Sequence, residues 1–72
     1  MRWNTLAKRI GQNIRTIRRA KDLTQEKAAE LSGTLSLRHW QYLENGEVNC
    51  TLKSLAKVAR ALKVDPQELL GK

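Results

Sequence analysis

A chain of 72 residues has room for one domain, spanning 1–72, because a polypeptide of this size buries only about 60% of the surface it exposes when unfolded. Cys50 is the only cysteine and His39 the only histidine, which excludes an intramolecular disulfide framework, leaves no ligand set for a metal and makes self-association the remaining support for a small core. Fourteen Lys and Arg against seven Asp and Glu give a formal charge of +7, which points to a polyanionic partner. The apolar runs are too short and too often broken by charge for a signal peptide or a membrane span, so a soluble chain is expected. A lone cysteine fits a reducing cytoplasm better than a secreted setting.

Taken in chain order, Leu6, Ile10, Ile14 and Ile17 recur at four, four and three residues, which predicts one apolar stripe on a first helix running roughly from Thr5 to Lys21. The cations Arg2, Lys8, Arg9, Arg15, Arg18, Arg19 and Lys21 all precede the first acid, Asp22, so one end of the molecule is strongly positive. Leu23 can fold back onto the stripe. Thr24 is an N-cap for a second helix carrying Ala28, Ala29 and Leu31 and stopping near Gly33. Ser36 can cap a third, on which Trp40 and Leu43 share a face, Leu37, Arg38, Gln41 and Tyr42 lie mainly elsewhere, and Asn45-Gly46 marks the end. Thr51 opens a fourth, whose Leu52, Leu55, Val58, Ala59 and Leu62 recur at helical spacing with Lys53, Lys57, Arg60 and Lys63 outward. Asp65-Pro66-Gln67-Glu68 combines an N-cap, a proline at the first helical position and a glutamate at the third, predicting a short fifth helix through Leu69 and Leu70 to Gly71. No alternating apolar-polar segment offers a strand. The expected fold is all-α, with five helices.

A small residue where two helices cross, Ala29, and a turn residue tolerant of positive φ, Gly33, stand between Gln25 and the Trp40/Leu43 face. With these the segments IGQNIRTIRRAKDLTQEKAAELSG, YLENG and TLKSLAKVARALKVDPQELL resemble the lambda-repressor-like, or Xre-type, helix-turn-helix family from about Ile10 to Leu70. The resemblance implies a sequence-specific transcriptional regulator of double-stranded DNA, acting as a homodimer on a palindromic operator and needing no cofactor or metal. It places the third helix in the major groove with Leu37, Arg38, Gln41 and Tyr42 toward base edges. Arg can bond guanine bidentately, Gln can pair with adenine, and Leu or the Tyr ring can pack on a thymine methyl. It also places Gln25 and Ser36 against the phosphate backbone, pairs Arg18 with Glu44 so that the guanidinium stands near a phosphate, and sets Asn45 and Gly46 where backbone amides can meet phosphate or simply cap the helix. A small unit of this kind gains site length by pairing across a two-fold, and helix five with the end of helix four, through Val64, Leu69 and Leu70, is the expected dimer contact.

Several positions depart from the family pattern. The turn before Ser36 carries one residue more than is common, which puts the register of the third helix at stake. Trp40 and Ala28 stand where smaller and larger aliphatics are usual, an exchange of volume across the contact of the second and third helices. Cys50 replaces a usual proline and is expected to be a buried or half-buried small apolar residue. No nucleophile-base pair, paired carboxylates or phosphate-cradling loop can be assembled, so no enzymatic activity is expected. Three other readings compete: an antitoxin that binds both a toxin and its own operator, a membrane-surface helix formed by the basic first segment, and RNA binding. The second would take Leu6, Ile10, Ile14 and Ile17 from the core, and the third lacks a platform of stacking aromatics.

Overall fold

A computed structural model describes residues 2–71. It contains α1 (Trp3–Ala20), α2 (Gln25–Ser32), α3 (Leu37–Asn45), α4 (Leu52–Leu62) and α5 (Pro66–Leu69), and no strand among the described residues. The starts follow local chemistry. The hydroxyls of Thr24, Ser36 and Thr51 each accept the backbone N–H three residues on, at 3.0 Å, satisfying one of the donors a helix start leaves unpaired. Asp65 and Glu68 form a reciprocal capping box around Pro66. Helix α1 begins at Trp3, two residues before the expected Thr5, without a side-chain cap.

Helices α1, α3 and α4 end the same way. Asp22, Gly46 and Lys63 take positive φ, and the next residue's N–H returns to a carbonyl five residues back: Leu23 to Arg18, Glu47 to Tyr42 and Val64 to Ala59. In this termination the residue after the left-handed one packs back on the helix, and Leu23 and Val64 do lie against the core.

Helix α1 packs on α3, α2 on α4 and α3, and α5 closes the end against α4 and α1. Trp40, Ile14, Leu62, Leu69 and Val58 are the largest fully buried side chains. Asn13 ties α5 down, its Nδ2 donating to the carbonyls of Leu69 at 2.9 Å and Gly71 at 2.6 Å.

Two expectations need correcting. Leu6 is 37% exposed while Ala7 is buried, because the buried face of α1 runs through Ala7, Ile10, Gly11, Ile14 and Arg18 and leaves Leu6 at its edge. Leu69, expected at a dimer contact, has no exposed surface. A helix as short as α5 needs a core anchor, so Leu69 turns inward and leaves only Leu70 and the half-buried Val64 for another molecule.

Candidate nucleic-acid interface

The turn between α2 and α3 sets the start of the exposed helix. Gly33 adopts φ +86 in open space, a conformation that costs glycine nothing. Leu35 then drops into the core, its N–H donating to Ser32 Oγ at 3.1 Å while Ser32 donates to the Ala29 carbonyl at 2.5 Å. Ser36 caps α3 and Leu37 is its first residue, as the expected register has it. Ala28 and Trp40 are both wholly buried in the same core.

Helix α3 presents two faces. Trp40, Leu43 and Glu44 are buried, whereas Leu37, Arg38 and Tyr42 are exposed on the other side and Gln41 is half-buried between them. All four residues expected to reach base edges therefore share one accessible flank. Of those expected against phosphate, Gln25 is half-buried at the start of α2 and Ser36 is exposed.

The centre of the site is a carboxylate that periodicity alone does not reveal. Glu44 is buried and accepts from Arg18 Nε at 2.5 Å, Arg18 Nη2 at 3.1 Å, Arg15 Nε at 3.3 Å, Gln25 Nε2 at 3.0 Å and Trp40 Nε1 at 2.6 Å. Burial by itself would raise the Glu44 pKa, but hydrogen bonds from Arg18, Trp40 and Gln25, with the Arg18 charge, outweigh it and hold the carboxyl below its ordinary value. A buried carboxylate survives as an ion only when it is paired and hydrogen-bonded. Here that pairing joins α1, α2 and α3. A second link leads outward: Gln41 Nε2 donates to Gln25 Oε1 at 3.3 Å. Burial raises the pKa of the half-buried Cys50 thiol, which agrees with its expected apolar role.

Of the other residues expected against the backbone, Arg18 and Gly46 are buried and Asn45 is exposed. Arg18 does pair with Glu44, but its guanidinium is buried rather than aimed at solvent, with Nη1 donating to the Leu23 carbonyl at 2.7 Å. A buried carboxylate demands a buried cation. The Gly46 N–H is taken by the Leu43 carbonyl at 3.2 Å, and its Cα lies so close to Lys8 that an added Cβ would meet Lys8 backbone within 3.0 Å. Gly46 is thus a helix end wedged beneath α1. Asn45 is exposed, its Oδ1 accepting from Arg15 Nη2 at 2.8 Å and its Nδ2 donating to Glu47 at 2.9 Å.

Two participants escaped the sequence. A Cβ on Gly11 would come within 3.0 Å of the Glu44 backbone, so glycine lets α1 cross the end of α3. Arg15 lies one turn before Arg18 and reaches the same carboxylate; the three-residue spacing of two arginines was the available signal. Arg15 also joins Lys8, Gln12, Glu44 and Asn45 around an open cleft beside α1.

A capped recognition helix with an exposed mixed face, braced through a short turn by a second helix and set in a strongly basic molecule, defines a DNA-binding regulator domain. The chain belongs to the lambda-repressor-like, Xre-type helix-turn-helix family, whose helix-turn-helix model matches residues 14–69. It is 38% identical over 65 residues, 90% of this chain and 83% of the relative, to the uncharacterised HTH-type transcriptional regulator y4dJ of Sinorhizobium fredii. Its structure is similar to the restriction-modification controller protein C.AhdI of Aeromonas hydrophila, with TM-score 0.83 and 40% identity over 88% of this chain and 94% of that one. It is also similar to the clp gene regulator ClgR of C. glutamicum, with TM-score 0.84 and 29% identity over 90% of this chain and 83% of that one. The family consists of transcriptional regulators that bind double-stranded DNA. None of the described helices is long and apolar enough to cross a membrane.

Proposed function

We propose that this chain regulates transcription by binding a palindromic operator as a homodimer, each copy laying α3 in the major groove. The observation that carries the reading is the flank formed by the exposed Leu37, Arg38 and Tyr42 with the half-buried Gln41, on a helix whose opposite face is locked by Glu44. Arg38 is the only cation of the four and reads a guanine through its two-pronged donor. Gln25, Ser36 and the Asn45 side chain meet phosphate, while Arg18 and Gly46 act indirectly by holding the end of α3. Pairing across a two-fold sets two half-sites about one helical turn apart. Leu70, 46% exposed, with Val64 at its edge, supplies the contact between copies.

The test is selection of bound duplexes from a random pool, followed by titration of Arg38→Ala against operator variants. Loss of discrimination at one symmetric pair of positions, at a cost of roughly 1–3 kcal/mol, supports the reading. A uniform loss over all variants makes Arg38 a backbone contact and moves base reading to Leu37, Gln41 or Tyr42. Wild-type affinity falls with salt at a slope of about −0.9 per neutralised phosphate, and a flat response refutes groove binding. An antitoxin role draws on Leu52, 85% exposed at the start of α4, and is distinguished by a second small protein that co-purifies with the chain.

A further inference from the structure

At the C-terminal end of α3 an anion already holds the donor that the proposed phosphate contact needs. Asn45 stands between Arg15, whose Nη2 donates to its Oδ1 at 2.8 Å, and Glu47, whose Oε1 accepts from its Nδ2 at 2.9 Å. Arginine only donates and a carboxylate only accepts, so both neighbours impose one orientation: the Asn45 oxygen faces Arg15 and its NH2 faces Glu47. Glu47 is exposed, yet its backbone is held in place, because its N–H is tied to the Tyr42 carbonyl at 3.0 Å where α3 ends. The charge of Glu44 is matched by Arg18 and Arg15, whereas no cation among the described residues pairs with Glu47.

We infer that Glu47 is a built-in competitor of DNA at the end of α3, a carboxylate that holds the Asn45 amide in the free protein and contests it with a backbone phosphate in the complex. The inference rests on the phosphate contact proposed above for Asn45. A phosphate seeks the donor that the carboxylate already has, and it arrives with the same sign of charge. In open water that repulsion is largely screened. A duplex seated against α3 displaces the water, and the two anions then meet through a medium of lower dielectric. Either the carboxylate stays and repels the strand, or it swings away and Asn45 exchanges one anion for another with little gain. Both outcomes weaken every duplex alike, because a phosphate contact carries no base information. Glu47 thereby limits the affinity that a chain of formal charge +7 has for DNA of any sequence, and leaves the base-facing flank of α3 to decide where the protein sits.

The test measures binding of the full chain to the duplex chosen by selection and to a duplex of unrelated sequence, over a range of salt. Glu47→Gln keeps the side-chain length and an acceptor for Asn45 but removes the charge. Both duplexes should be bound more tightly at low salt, by about threefold for each copy of the chain and so by about tenfold for a homodimer. Their affinity ratio should stay unchanged, and the gain should shrink as salt is raised. In an Asn45→Ala background the same substitution should gain less than about twofold, because the contested donor is gone. In the wild type, which needs no substitution, the Asn45 side-chain amide signals followed by NMR should shift on addition of either duplex. A gain of equal size with and without Asn45 makes Glu47 a general charge rather than a competitor and overturns the inference. So does an unchanged or weakened affinity in Glu47→Gln, a gain confined to the selected duplex, or an Asn45 amide that does not respond to DNA, each while groove binding stands. Wild-type protein that binds neither duplex at any salt overturns both.

Discussion

Removing the buried charges at Arg18 and Glu44 one at a time should be far more harmful than removing them together. Glu44 has no exposed side-chain surface and that of Arg18 is 9% exposed, so either charge left alone stays out of water. Breaking such a pair from one side costs about 3–5 kcal/mol. Arg15, with 36% of its side chain exposed, can offset less than about 1 kcal/mol of the loss because solvent screens it. Independent effects would therefore sum to roughly 6–10 kcal/mol, which rivals the total of roughly 4–11 kcal/mol expected for a domain of this length. The Arg18→Met/Glu44→Leu double variant leaves neither ion stranded, although Gln25 and Trp40 still lose an acceptor at about 1–3 kcal/mol for a buried donor. The expected result is a folded double variant, at least about 2 kcal/mol more stable than additivity allows. Urea unfolding at neutral pH, followed by circular dichroism for the wild type, both single variants and the double, gives the coupling. Strict additivity, or a Glu44→Leu cost below about 1 kcal/mol, would refute the claim that this pair is buried and interdependent.

Three further outcomes follow from the same geometry. Because the folded Glu44 carboxyl has a pKa below its ordinary value of 4.5, its contribution is fully present above that value and is lost as pH falls through the folded pKa. Urea midpoints should hold their Glu44 contribution at neutral pH and lose it at acid pH, and Glu44→Gln should flatten that acid limb; an unaltered limb would assign it to other carboxylates. Gly11→Ala gains about 1 kcal/mol of helix propensity but drives a methyl into the Glu44 backbone, a strain of about 1–3 kcal/mol. A lower melting temperature is expected, and a higher one would show that the α1–α3 crossing is looser than described. Leu70→Glu should yield monomers by sedimentation while keeping helical content, whereas Leu69→Glu should unfold the chain because Leu69 is core. Dimers that persist in Leu70→Glu place the contact elsewhere.

Local chemistry was enough to mark where four of the helices begin. Thr24, Ser36, Thr51 and Asp65 cap by reaching backbone two or three residues ahead, an interaction contained in the segment itself. The start of α1, which has no side-chain cap, was the one misplaced. The outward flank of α3 was also legible, because helical spacing separates Leu37, Arg38, Gln41 and Tyr42 from Trp40 and Leu43 whatever α3 packs against.

What the sequence could not determine depends on contacts between distant segments. Whether Leu69 or Leu70 faces inward rests on how Asn13 holds the end of α5, and two adjacent leucines carry no period that distinguishes them. That Leu35 in the α2–α3 turn is core follows from the space the packed helices leave it. The family resemblance already pairs Arg18 with Glu44, but that the pair leaves water is decided only when α1 crosses α3 at Gly11. Local hydrogen bonding and helical periodicity set the elements and their faces; which charges leave water was decided only when three helices converged on one carboxylate.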